Sequence, residues 1–228
     1  MNDLSAFTQN PAFGVTLSLA AWSVAERVHR KLPWLHPLIF SGVVVIAFLV
    51  LTGIPFEHYQ NGGAMIKFWL GTATVALAIP LYKYATIIRE ALFPVLTGIL
   101  VGALTGVFSA WLVVWALGGD KSMIASMMPK STTTPIAVAL TVRAGGIPEL
   151  TAVYVIVTGL LGVAIGVPLL KRIGVHDHAA VGTAMGCAAH ATATAKLMAD
   201  HELRGSFSGL AMGLCGITTS LVMMPIRL

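Results

Sequence analysis

Charge is what this sequence has least of. Only 10% of its 228 residues are Asp, Glu, Lys or Arg, where a soluble globular domain carries about 25%. So small a charged fraction cannot cover a water-facing surface. A chain that is 57% hydrophobic, with a mean hydropathy of +0.86, instead reads as one integral membrane domain spanning residues 1–228. Acidic residues number nine and fall mostly between apolar segments, which leaves general acid–base catalysis few candidates. There is no Gly-x-Ser-x-Gly elbow, Walker-type phosphate loop or pair of catalytic carboxylates, so neither an enzyme nor a self-contained ATP-driven pump is expected.

Cysteine is scarce too. Cys187 and Cys215 both lie in apolar segments and read as buried thiols rather than as a disulfide or a metal pair. His176 and His178 flank Asp177, but with no further cysteine or carboxylate cluster at ligand spacing they read as solvated loop residues. No metal or other cofactor is expected. The net charge of +5 comes from basic residues scattered between apolar segments, which points to the positive-inside bias of membrane proteins and away from nucleic acid. The stretch Met1–Asn10 lacks a basic region and carries Asp3. It resembles neither a cleaved signal nor a transit peptide, so the first helix is expected to direct insertion and the origin to be bacterial.

What is present is a series of apolar segments, at roughly 13–25, 36–53, 64–82, 91–117, 122–142, 149–170, 178–199 and 205–226, most of them near the ~20 residues that cross a bilayer. The expected fold is therefore all-α, a polytopic helical bundle in the lipid. Two segments are rich in Gly, Ala and Thr: 70–80, with Thr72 and Thr74, and 182–195, with His190, Thr192 and Thr194. Taken alone, such residues read equally as tight helix packing. Gly71-Thr72-Ala73 and Gly182-Thr183-Ala184 open corresponding segments if 13–117 is laid over 122–226, which predicts two structural repeats of unsettled relative orientation.

The segment Pro129-Lys130-Ser131-Thr132-Thr133-Thr134-Pro135 is the main candidate site. The prolines interrupt the helix and free polar backbone groups, which in lipid is tolerated only beside protein or a water-filled cavity. A lone lysine there also reads as an interfacial residue that snorkels. With the hydroxyls of Ser131, Thr133 and Thr134 beside it, and a helix N-terminus after Pro135, the pattern fits an anion such as a carboxylate. His190 reads either as an interhelical hydrogen bond or as a proton carrier, with Thr194 in support. Arg27, Arg30 and Lys31 follow the first segment and Lys83 and Arg89 the third, placing both loops in the cytoplasm and the N-terminus outside. Lys171 and Arg172 fit that scheme only if 122–142 enters and leaves on one side, so a re-entrant or discontinuous element is predicted there.

Three motifs carry a family resemblance: Leu70-Gly71-Thr72-Ala73-Thr74-Val75-Ala76-Leu77-Ala78-Ile79-Pro80, Met128-Pro129-Lys130-Ser131-Thr132-Thr133-Thr134-Pro135, and Ala184-Met185-Gly186-Cys187-Ala188-Ala189-His190-Ala191-Thr192-Ala193-Thr194-Ala195. In this order, and over most of the chain from about Pro33, the sequence resembles the LrgB/CidB family of bacterial membrane proteins, which includes the membrane domain of the plastidial glycolate/glycerate translocator. It departs from the family's usual residues at Thr72, Thr132, Ala189 and Ala193. The resemblance implies a multi-pass protein of the bacterial inner membrane with one of two functions. One is transport of small hydroxy- or keto-carboxylates such as glycolate, glycerate or pyruvate. The other is antiholin-like control of murein hydrolase export and cell lysis with an LrgA/CidA-type partner. The buried cation favours transport, with Lys130 neutralising the carboxylate, Ser131, Thr133 and Thr134 hydrogen-bonding it, His190 and Thr194 completing the pocket or relaying a proton, and Thr72 and Thr74 as further contacts. A homo-oligomer is expected of so small a carrier, which needs a scaffold to rock against.

Overall fold

The computed structural model of the chain describes residues 7–32 and 35–227, the side chains of Leu70, Ala73 and Thr74 excepted. Met1–Ala6, at the start of the stretch read above as no cleaved leader, lie outside the described residues. Every regular element among the described residues is helical, as lipid demands of a chain that must satisfy its backbone polar groups within each segment. The chain forms two compact units, Met1–Ala76 and Leu77–Leu228.

The first unit holds α1 (Pro11–Lys31), α2 (Pro37–Thr52) and α3 (Phe56–Ala76). Proline opens α1 and α2, where its missing N–H costs nothing, and the Asn10 side chain caps α1 by accepting from the Ala12 N–H at 2.9 Å. Gly14 and Gly62 let α1 and α3 meet at backbone contact: a Cβ on Gly14 would lie 2.9 Å from the Gly62 Cα. Ser18 and Tyr59 share a hydrogen bond of 2.9 Å across the same interface. The helix stops at Ala76, inside the Thr-rich stretch, because Pro80 has no N–H to return to the Ala76 carbonyl.

The second unit begins with α4 (Ala78–Lys83) and α5 (Ala85–Glu90), then α6 (Leu92–Ala116), α7 (Lys121–Met127), α8 (Thr134–Ala144) and α9 (Pro148–Leu161). A π-helical turn at Gly162–Gly166 carries α9 into α10 (Val167–Arg172), followed by α11 (His178–Asp200) and α12 (Glu202–Met223). Among the described residues three helices are long and apolar enough to cross a membrane: α6, the continuous α9–α10, and α12.

The elements between these helices are re-entrant hairpins. With 7 and 11 residues, α7 and α8 are each too short to span. Their outer residues Ile124, Ala125 and Ala144 share one buried cluster with Val114 and Met223, at the C-terminal ends of α6 and α12. Their turn lies beside Gly106, where an added Cβ would sit 3.6 Å from Ser131 Oγ. Gly106 is ten residues short of the α6 end at Ala116, about 15 Å along the axis, or half of a ~30 Å hydrocarbon core. The turn thus lies about halfway along α6 and the chain returns to the end of the helix bundle from which it came, a discontinuous element as expected for 122–142.

A second hairpin, not foreseen from the sequence, is α11. At His190 the backbone takes φ 42°, ψ −133° and reverses direction, so that Val181, Met185, Ala189, Ala193 and Leu197 close on one another from its two arms. Both arms run along the first half of α12. Gly182 and Gly186 of the entering arm lie against Phe207, Ser208 and Ala211, and Met198 of the returning arm lies against Gly205. This hairpin therefore enters from the end opposite to the first.

An inverted repeat results, built from one spanning helix and one hairpin, 92–144 and 148–200. Leu92–Ala116 and Pro148–Arg172 are each 25 residues long. Each is followed by a glycine in the left-handed region, Gly118 at φ 78° and Gly174 at φ 84°, as a helix C-terminus favours. Each hairpin then opens on an aspartate cap: Asp120 accepts from the Met123 N–H at 2.7 Å and Asp177 from the Ala180 N–H at 2.8 Å. Each returning arm is tied to the next helix by a buried hydroxyl pair, Thr141 with Thr151 and Thr194 with Ser208, both at 2.8 Å. The repeat lies within the second unit and not in 13–117 over 122–226. One crossing per copy is an odd number, which is why the copies are inverted.

Candidate functional site

Lys130 and Ser131 occupy the tip of the first hairpin. The Lys130 Nζ donates to Ser131 Oγ at 3.1 Å, and the two ion pairs among the described residues, Lys83 with Glu202 and Lys196 with Asp200, do not involve it. Both tip residues line a cavity of about 1300 Å³ bounded by α6, α9–α10 and the entering arm of α11. Glu90, Asp177 and His178 line it toward the end where α11 begins, and Lys130 and Ser131 line it beside the hairpin tip. A cation without a carboxylate partner at mid-depth is costly in lipid and belongs where an anion or water reaches it. The N-terminus of α8 starts at the same tip, at Thr134, adding the positive end of a helix dipole.

The other hydroxyls of this tip have different tasks. Thr132 is buried and donates to the Pro129 carbonyl at 3.0 Å, so this departure from the family's usual residue fastens the turn. Thr133 is the N-cap residue of α8 without a side-chain cap bond. Neither Thr133 nor Thr134 is among the residues that line the cavity.

His190 is the tip of the second hairpin and only 4% exposed. Its Nε2 lies 3.1 Å from the Val155 carbonyl oxygen of α9, and Thr194 Oγ1 bonds back to the His190 carbonyl at 2.9 Å. The turn fits here because α9 leaves room: an added Cβ on Gly159 would lie 3.0 Å from the His190 ring. The π-helical turn follows at once, with Gly162 against Ala189 and Gly166 against Met185; such widened turns are frequent at functional sites. His190 and Thr194 thus build the second tip and do not line the cavity. Thr72 belongs to the first unit, exposed, its hydroxyl donating to the Trp69 carbonyl at 2.7 Å; the Thr74 side chain lies outside the described ones.

Sequence reading missed Thr105, Ser109, Tyr154 and Thr158 of the cavity wall. Their signal was the four-residue spacing of Gly98, Gly102 and Gly106 in a segment that composition marks as ordinary. Those glycines face Thr183, Cys187 and Ser131 in turn. Both cysteines are buried, free thiols. His178 is not a solvated loop residue: its Nδ1 accepts from Arg204 Nε at 2.9 Å, and its ring stacks on His201 at 4.2 Å.

Residues 18–228 match the LrgB-like family. The chain is 36% identical over 208 residues, 90% of both chains, to the uncharacterized protein YxaC of Bacillus subtilis (strain 168). It is 34% identical over 220 residues, 95% of this chain and 96% of the relative, to the antiholin-like protein LrgB of Bacillus mycoides (strain KBAB4). No solved structure matches it.

Proposed function

This chain belongs to the LrgB-like family of membrane proteins, and we propose that it carries small hydroxy- or keto-carboxylates across the bacterial inner membrane as a multi-pass protein. The observation that supports this reading is Lys130, without an ionic partner among the described residues, lining a cavity at the tip of a hairpin in an inverted repeat. Substrate sites of carriers with inverted repeats lie near the membrane midplane, where broken helices turn their termini toward the ligand. In this reading Lys130 neutralises the carboxylate, Ser131 and the first N–H groups of α8 hydrogen-bond it, and the Thr133 and Thr134 hydroxyls lie close enough to adjust the same turn. His190 and Thr194 hold the opposing tip. Lys83, Arg89, Lys171, Arg172 and Arg204 gather at the end where α11 begins, which the positive-inside bias places in the cytoplasm.

A second reading has its own support. Relatives named antiholin-like proteins favour that class over a carrier, and in this reading the chain regulates murein hydrolase export and lysis with an LrgA/CidA-type membrane partner. The two readings meet if lysis follows from altered carboxylate metabolism.

Uptake of labelled glycolate, glycerate and pyruvate into liposomes containing the purified chain, with and without a pH gradient, tests the proposal. Saturable uptake lost in Lys130→Met supports a carrier. That variant should melt no lower than the parent, because replacing an unpaired, half-buried cation by an apolar side chain removes a desolvation cost. No uptake by folded protein would leave the antiholin-like reading.

A further inference from the structure

Many helical hydroxyls of this chain fold back on the preceding turn: Thr97 on the Phe93 carbonyl at 3.1 Å, Ser109 on the Gly106 carbonyl at 3.3 Å and Thr218 on the Leu214 carbonyl at 2.9 Å. A hydroxyl is satisfied in this way without help from another helix. Thr158 of α9 does not do so. The Val155 carbonyl, three residues before it, already receives His190 Nε2 at 3.1 Å, and the Thr158 hydroxyl has no hydrogen-bond partner among the described residues. Among those residues that are not exposed, only Thr183 has a partnerless side-chain oxygen shut off from solvent. The oxygen of the half-buried Thr158 is therefore accessible.

Its direction and its depth follow from the fold. Tyr154, Leu161 and Ile165, four residues before Thr158 and three and seven after it, line the same cavity as Thr158, so this stripe of α9 and the helical turn after it faces the cavity. The first hairpin joins the end of α6 at Ala116 to the start of α9 at Pro148, on one side of the bundle. Gly106, which lies against Ser131, is ten residues from the first of these ends, and Thr158 is ten residues from the second. Each is about 15 Å along its helix. Lys130 and Ser131 on one wall and Thr158 on another thus border the cavity at one level.

We propose that Thr158 is the specificity-determining residue of the anion site, its hydroxyl bonding the oxygen on the carbon next to the carboxylate. The inference rests on the carrier reading and gives it a means of telling a 2-hydroxy or 2-keto acid from a plain short acid. Lys130 and Ser131 take the carboxylate, which all such acids share. A threonine hydroxyl both donates and accepts, so Thr158 serves a keto oxygen, which only accepts, as well as a hydroxyl, which does both. An acid with only hydrogens at that carbon leaves the contact unmade, and a site built to hydrogen-bond its substrate rejects an analogue that lacks the group.

The experiment measures uptake of labelled glycolate, glycerate and pyruvate below saturation in liposomes, with unlabelled propionate, which is pyruvate without its keto oxygen, as competitor. Thr158→Val keeps the shape and removes the hydroxyl. It should lower uptake of the three acids about tenfold, the loss of one hydrogen bond, and leave the half-inhibiting concentration of propionate as in the parent. Thr158→Ser should keep the parental preference. In detergent, Thr158→Val should melt no lower than the parent, because the hydroxyl has no protein partner to lose. Parental uptake by Thr158→Val would overturn the proposal, as would an equal weakening of propionate, or a clearly lower melting temperature, which would make the hydroxyl structural. If the parent protein takes up none of the three acids, the carrier reading itself fails and this contact falls with it.

Discussion

His190 Nε2 meets the carbonyl oxygen of Val155 at 3.1 Å, tying the tip of one hairpin to the middle of α9. A carbonyl only accepts, so this nitrogen carries a proton and the bond fixes the ring. The residue holding it has φ 42° and ψ −133°, a conformation natural to glycine and strained by about 1–3 kcal/mol for other residues.

That combination predicts an order of stabilities. His190→Ala keeps the strain and loses the bond, and should lower unfolding stability by about 1–3 kcal/mol. His190→Gly loses the bond but relieves the strain, and should melt near the parent temperature. Thermal unfolding in detergent checks this; an alanine variant as stable as the glycine variant would mean that the backbone here is not strained.

Gly186 predicts a packing failure. A Cβ there would run into the Ser208 carbonyl oxygen and stand 2.9 Å from the Ala211 Cβ, and helix backbone cannot give way cheaply. Gly186→Ala should cost about 1–3 kcal/mol or more. Gly213→Ala is the control, because a Cβ on Gly213 meets nothing within 4 Å and alanine favours helix by up to ~1 kcal/mol. Opposite shifts in melting temperature are expected.

His178, at the start of α11 and outside the spanning helices, predicts a pH dependence. Burial, then the charges of His201 and Arg204, hold its pKa below the ordinary histidine value, against an opposing pull from Asp177. Between the lowered native pKa and the unfolded value near ~6.5, the unfolded chain binds more protons, so stability rises with pH. The contact with Arg204 is fully present above about pH 6.5 and is lost as pH falls through the native pKa, because a protonated Nδ1 cannot accept from the Arg204 Nε. His178→Gln should flatten the fall in melting temperature between neutral and mildly acidic buffer; an unchanged pH profile would assign that fall to another group.

Much of the second unit was legible in residues alone. The Pro129–Pro135 cluster announced a re-entrant turn because proline acts locally and lysine cannot rest in lipid. The reversal at His190 was hidden, since no proline or left-handed glycine marks it and the segment's alanines suit a straight helix equally well. Thr132, Thr133 and Thr134 were indistinguishable from Ser131 as site candidates, because a hydroxyl's direction depends on where the turn packs.

The sequence by itself determined that this is a helical membrane protein with a charged, proline-interrupted element. Scarcity of charge, hydropathy and backbone-breaking residues act over a few turns of chain and need no partner. Only the tertiary structure decided that two hairpins enter from opposite ends, and that Lys130 and Ser131 line a cavity while His190 and Thr194 frame a tip. Those facts depend on which glycines of α6, α9 and α12 the hairpins press against, and contacts between residues far apart in the chain leave no local mark.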